Sequence, residues 1–146
     1  MTTKTRRTRR TRRTRNDQCS QLQNKRMNDA TYTERRKVMA WVYHARDLLR
    51  AVGIEMPRVQ IRICEESKRT LGVATINGRL AIWISQTAIN EGNIKLGETV
   101  LHELAHTLFN APHVKGCPLM HPCSHPRANL PACERVFIKL ARAHAA

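Results

Sequence analysis

The chain has 146 residues and a formal net charge of +15 at pH 7, enough length for one domain with one modest core. No run of about twenty apolar residues is present, nor a shorter apolar run behind a charged start. A membrane-spanning helix and a secretory leader are therefore not expected, and the chain reads as a soluble, intracellular protein. Five cysteines, an odd number at irregular spacing, fit a reducing compartment better than a secreted disulfide framework.

Residues 4–15, KTRRTRRTRRTR, repeat Thr-Arg-Arg without an apolar side chain. Such a segment has nothing to bury against the entropy cost of ordering, so residues 1–27 read as a disordered Arg/Thr-rich basic arm preceding a domain at 28–146. A solubility tail does not need this density of arginine, whereas phosphate recognition does. Arg6, Arg7, Arg9, Arg10, Arg12, Arg13 and Arg15 are thus candidate contacts to DNA or RNA. With no aromatic residue to stack on bases, the arm should hold the backbone of any sequence, and a nuclear or nucleoid location would follow. A transit peptide is also arginine-rich but needs an apolar face that the arm lacks.

Thr33 can cap a helix from Glu34 to about Val52, whose stripe Val38, Trp41, Val42, Ala45, Leu48, Leu49 and Val52 ends at Gly53. His44 sits at the edge of that stripe and reads as a surface residue. RVQIRIC, Arg58–Cys64, alternates Val59, Ile61 and Ile63 with polar neighbours, the period of a half-buried strand, with Cys64 an inert strand residue. LGVATI and RLAIWIS flank Asn77-Gly78, a hairpin signal because both residues accept positive φ. Asn93 can cap a helix from Ile94 to Phe109 or Asn110. Pro112, Pro118, Pro122, Pro126 and Pro131 interrupt the chain beyond that helix, so residues 111–130 should form an irregular loop. A last helix spans Pro131 to about His144. The fold class is α+β: a small mixed or antiparallel sheet, an N-terminal helix, a histidine-bearing helix and a C-terminal helix.

LHELAH carries the chemistry. On the helix Val100, Leu101, Leu104, Ala105 and Leu108 share one face, while His102 and His106, four residues apart, lie one turn from each other on the other. Neutral imidazole donates a lone pair to zinc, and Glu103 between the two histidines can take a proton from a water activated there. HELAH is thus H-E-x-x-H on a helix. A third ligand can come from the loop, at His113, His121 or His125.

These residues resemble the zincin metallopeptidases over about Leu71 to Pro122, most specifically in the last twenty residues. The metzincin pattern is H-E-x-x-H-x-x-G-x-x-H with a methionine turn after it. In HELAHTLFNAPH, His113 comes eleven residues after His102 instead of ten, and Phe109 stands at the glycine position. Asn110 can replace that glycine one residue later, since Asn tolerates the left-handed conformation at a helix end, and this shifts the histidine by one. CPLMHP is similar to the methionine turn of matrixin-type metzincins, with Met120 at its centre; a loop methionine that only fills a gap is the alternative. A second branch, the SprT-like proteases, resembles TLGVATINGRLAIWIS followed by TVLHELAH and acts on proteins crosslinked to DNA, which suits the arm. The gluzincin variant would take a glutamate from a downstream helix, here Glu134.

The resemblance implies a zinc metallopeptidase acting on a protein or peptide substrate, with catalytic zinc on His102, His106 and His113, then His121, His125 or Glu134 as the third ligand, and Glu103 as general base. A non-enzymatic nucleic-acid-binding protein with structural zinc is the rival. Cys117, Cys123 and Cys133 could hold a second, structural zinc with the loop histidines, but C-x5-C-x9-C matches no standard spacing. Free thiols or a Cys117–Cys123 bridge are the alternatives.

Deleting Met1 to Arg15 is expected to weaken binding to DNA or RNA of any sequence and to flatten the dependence of log affinity on log salt. Titrations at several salt concentrations measure this; an unchanged slope removes the arm as the phosphate-binding element.

Overall fold

The structure, a computed structural model, describes residues 32–64, 72–76, 79–122 and 129–146. The basic arm, the Asn77-Gly78 turn and the loop segment with Cys123 and His125 lie outside them. The described residues form a mixed α/β fold in the order α1 (Tyr32–Ala51), β1 (Gln60–Cys64), β2 (Gly72–Ile76), β3 (Arg79–Ser85), α2 (Gln86–Asn90), α3 (Asn93–Phe109) and α4 (Leu130–Ala145).

The sheet is mixed, in the order β1-β3-β2. β3 runs parallel to β1, with Ile61 opposite Ile82 and Ile63 opposite Ile84, and antiparallel to β2, with Val73 opposite Trp83 and a register irregularity between Ala74 and Ile76. The central strand presents alternate residues to opposite faces: Ile82 and Ile84 enter the main core, while Ala81 and Trp83 join Cys64 in a small cluster.

α3 is the hub, packing against α1, α2, α4, β2 and β3. Its spacing explains this, since Leu96, Val100, Leu101, Leu104, Ala105 and Leu108 cover a broad arc and are all buried. α1 supplies Val38, Val42, Ala45 and Leu49 to the same core, and α4 supplies Cys133, Phe137 and Ala141. Burial of a side chain of this size stabilises by roughly 1.5–3 kcal/mol relative to exposure, so the helix that carries the histidines is also the best anchored. Among the described residues no helix is long and apolar enough to cross a membrane.

One cap expectation is corrected and one helix was unforeseen. Asn93 does not cap α3: Gly92 holds the N-cap position at φ 109°, a conformation that suits glycine, with no side-chain cap bond. Asn93 instead accepts a 3.0 Å hydrogen bond from Trp41 Nε1, tying α3 to α1. The polar stretch before α3 also contains a helix that the sequence pattern does not signal. Ser85 caps α2 by accepting from the Ala88 N–H at 3.3 Å, a Ser N-cap hidden by its position as the last residue of a strand.

The α1–α3 contact is close. A Cβ built on Gly97 would stand 2.6 Å from the Trp41 ring, and that ring is held by its bond to Asn93. Gly97→Ala should gain about 1 kcal/mol in helix propensity yet lose about 1–3 kcal/mol to overpacking. We expect it to lower the midpoint of thermal unfolding in the wild-type background and to raise it in a Trp41→Ala background. A rise in both backgrounds would mean that Trp41 moves aside freely.

Candidate metal centre

His102 and His106 lie on the side of α3 away from its deepest core residues, at half-buried positions. The helix stops at Asn110, which is left-handed at φ 51°, ψ 36°, with its N–H returned to the Ala105 carbonyl. It is the one non-glycine residue with positive φ among the described residues. Asn accepts this conformation more readily than most side chains, and Pro112 disfavours a helical conformation at Ala111. The chain therefore folds back over α3 and returns His113 to the two helical histidines.

The three rings meet at their Nε2 atoms. His106 Nε2 is 3.0 Å from His102 Nε2 and 3.0 Å from His113 Nε2, and the third side of the triangle is 3.3 Å. Behind the triangle, His102 Nδ1 lies 2.6 Å from the Leu119 carbonyl oxygen and His106 Nδ1 lies 2.7 Å from that of Ala111. A carbonyl oxygen only accepts, so Nδ1 of both rings carries the proton and donates it. Their Nε2 atoms are then bare lone pairs facing each other at 3.0 Å, and neither can hydrogen-bond to the other.

A cation between them converts this repulsion into bonding. Nitrogens bound tetrahedrally to zinc at about 2.0–2.1 Å stand about 3.4 Å apart, so the triangle needs to open by only a few tenths of an ångström. Among the described residues, His102, His106 and His113 form the one group of three metal-capable side chains. The donor set, its spacing and the backbone carbonyls behind it all fit zinc.

Leu119 and Met120 are buried in the core, and a set of short bonds fixes the loop that carries them. The Val114 N–H donates to Met120 O at 2.8 Å, Cys117 N–H to Val114 O at 3.0 Å, and the Cys133 thiol of α4 to Pro118 O at 3.4 Å. Met120 fills core space beside the residue whose carbonyl orients His102. Sequence reasoning named Met120 but missed the carbonyls of Leu119 and Ala111, because a backbone acceptor leaves no mark on residue type.

Burial controls the charge of the site. Desolvation raises the Glu103 carboxyl from 4.5 to about 8; it is 6% exposed, with Oε1 3.8 Å from His102 Nε2. His102 is lowered from 6.5 to about 4, first by burial and further by the neighbouring His106 and His113, against the opposing pull of the Leu119 carbonyl. His106 is lowered too, chiefly by burial. Both histidine shifts favour the neutral form of His102 and His106, the form that ligates metal.

The other predicted ligands are elsewhere. His121 Nδ1 accepts from the Gly116 N–H at 3.0 Å, which occupies it within the loop. Glu134 on α4 lies 3.4 Å from His44 Nε2, so it faces α1. His125 lies outside the described residues, as do Cys123 and arginines 6–15. Cys117 and Cys133 are free thiols, which rules out the Cys117–Cys123 bridge; burial, then the nearby Glu98, pushes the Cys133 thiol up to about 12. Neither belongs to a metal-capable group among the described residues. Cys64 is disulfide-bonded and its partner lies outside the described residues, so it is not an inert strand thiol. Cysteine usage therefore no longer argues for a reducing compartment.

Comparison with protein-family models, with curated proteins and with solved structures returns no match.

The shifts set a pH dependence for the metal-free protein. Glu103, raised from 4.5 to about 8, contributes stability that is fully present below pH 4.5 and is lost as pH rises to about 8. His102, lowered from 6.5 to about 4, contributes stability that is present above pH 6.5 and lost as pH falls towards 4. Above pH 6.5 the Glu103 effect is no longer offset by His102. In chelator, the thermal midpoint of the wild type should fall between pH 6.5 and 8, and Glu103→Gln should remove that fall. Parallel curves for the two proteins would show that Glu103 does not titrate there.

Proposed function

We infer that the protein is a zinc-dependent metallopeptidase of zincin type, hydrolysing peptide bonds in a protein substrate. The observation that carries this reading is the triangle of Nε2 atoms of His102, His106 and His113, with two of the rings backed by carbonyl acceptors and a buried carboxyl beside them. A structural zinc site takes four protein ligands and closes; a catalytic one takes three and leaves a position open. Here three converge among the described residues, and the third, His113, is exposed, so the open side of the triangle faces solvent where a peptide can approach.

Zinc on these nitrogens would supply Lewis-acid polarisation of the scissile carbonyl and lower the pKa of a water molecule. The chain's own residues do the rest. Nδ1–H donation to Leu119 and Ala111 fixes the rings, so the ligand geometry needs little rearrangement during turnover. Glu103 accepts the proton of the attacking water and returns it to the amine that leaves. Burial alone favours its protonated form; a divalent charge at the nitrogens, 3.8 Å away at His102, favours the ionised form that a base requires.

His113 as third ligand supports the metzincin-like branch, with Asn110 in the role of the missing glycine and Met120 beneath the ligand loop. The arginine-rich arm is read as a tether to DNA or RNA, which would bring the enzyme to proteins on nucleic acid, the role known for the SprT-like branch.

Glu103→Gln is expected to keep one zinc per chain and an unchanged fold while losing at least ~100-fold in hydrolysis of an unfolded protein substrate, the lower range for removing a general base. His102→Ala should lose both zinc and activity. Elemental analysis and proteolysis on the same samples, with and without DNA, decide the matter. A zinc-loaded wild type that is inactive in every condition would leave structural zinc as the better reading, and activity only with DNA would favour the SprT-like branch.

A further inference from the structure

The aromatic residues of this chain are few, two each of Trp, Tyr and Phe. Trp83 and Phe137 are buried, and Trp41 and Phe109 pack partly buried against the core. Both tyrosines are different: Tyr32 is 76% exposed and Tyr43 is 49% exposed, and both stand on α1. At 100° per residue, Tyr32, Arg36, Tyr43, Arg46 and Arg50 fall within an arc of about 80°, a stripe separate from the core face of Val38, Val42, Ala45 and Leu49.

Each tyrosine is paired with an arginine of the same stripe. The Arg36 guanidinium lies 5.5 Å over the Tyr32 ring and that of Arg46 lies 4.8 Å over the Tyr43 ring. Such cation–π pairs restrict ring rotamers before any partner arrives, and both tyrosines remain exposed beside their arginines. Among the described residues, Asp47 lies 3.6 Å from Arg46 and Glu55 3.7 Å from Arg50. Both acids are strongly exposed, and exposed pairs of this kind contribute little, so a phosphate can displace them.

We propose that the outward stripe of α1 binds single-stranded nucleic acid, with Tyr32 and Tyr43 stacking on unpaired bases and Arg36, Arg46 and Arg50 holding the phosphates between and beyond them. Eleven residues of helix separate the rings by about 16 Å, several times the ~3.4 Å rise of one base step, so the two tyrosines address different nucleotides. Bases in a duplex are stacked on each other and cannot reach a ring on a convex helix surface, so the stripe prefers single strands. This goes beyond the arm, which has charge without aromatic platforms, and it does not depend on the zinc reading. It makes the folded domain a second binding element that selects strand state where the arm selects only charge.

The experiment uses the full chain. Affinity is measured for a labelled oligothymidine and for a mixed-sequence duplex of the same length, in the wild type, in Tyr32→Ala/Tyr43→Ala, in Tyr32→Phe/Tyr43→Phe, and in a form with the seven arginines of residues 4–15 changed to serine. The alanine pair is expected to lose about fivefold to hundredfold per base contact on oligothymidine, to lose little on duplex, and to keep the salt slope. The phenylalanine pair should retain binding, and the arm variant should lose affinity for both ligands with a reduced slope. Because the chain has only these two tyrosines, nitration by tetranitromethane reports on this face alone: oligothymidine should protect it, and duplex and polyglutamate should not. Equal loss on single strand and duplex in the alanine pair, absence of protection, or no binding of oligothymidine by the wild type would each overturn the proposal. Protection by polyglutamate instead would overturn it in favour of an acidic protein partner.

Discussion

The geometry of the site hangs on two hydrogen bonds, from Nδ1 of His102 to the Leu119 carbonyl and from Nδ1 of His106 to the Ala111 carbonyl. They decide the tautomer of both rings, and the tautomer decides that Nε2 is a donor of electrons to a metal instead of a donor of protons to a neighbour. Without them each ring could turn its protonated nitrogen inward and satisfy itself on the next histidine. With them, two lone pairs are forced together at 3.0 Å, an arrangement whose electrostatic cost is removed by binding a cation.

Both carbonyls come from the segment after α3, so loop and site specify each other. Ala111 is in place because Asn110 turns left-handed and returns its N–H to the Ala105 carbonyl. Leu119 is in place because its own side chain and that of Met120 are buried, with the Cys133 thiol of α4 on the Pro118 carbonyl. A segment interrupted by Pro112 and Pro118 cannot satisfy its backbone groups by helix or sheet; here histidine rings, a thiol and short turns take over that task. A metal held by these rings would therefore couple to loop order, and through Cys133 to the packing of α4.

The parts of this arrangement that were legible in the sequence are those set by local geometry. H-E-x-x-H reads as two rings on one helical face because a spacing of four is nearly one turn, and the apolar positions Val100, Leu101, Leu104 and Leu108 establish the helix independently. Asn110 was legible as a left-handed stop for the same kind of reason, since few side chains other than glycine tolerate it. What was not legible depends on distant partners. Gly92 outcompeted Asn93 as the α3 cap because Trp41, 52 residues away in sequence, takes the asparagine oxygen. Ser85 ended a strand and began a helix with one side chain. His121 offered a ligand's chemistry, but the Gly116 N–H holds it within the loop. Nothing in composition or spacing tells a backbone carbonyl which imidazole it will face.

Charge adds a constraint that these local arguments omit. In a protein at +15 a cation at the three histidines would sit in a positive field, yet the field of exposed arginines is screened within about 8–10 Å at physiological salt, whereas the groups at the site are buried and screened much less. The local balance therefore decides. His102 and His106 are kept neutral by burial, and Glu103 is the adjacent carboxyl that can turn negative when a cation arrives. The remaining positive charge lies outside this local balance. α1 shows how one helix carries both tasks: its core face, through Trp41 and Asn93, helps fix α3 and hence the histidines, while its outward arginines and tyrosines take no part in that packing. Substitutions on the outward stripe should thus leave the histidine triangle undisturbed, so the proposed nucleic-acid face and the candidate metal centre can be tested separately within a single fold.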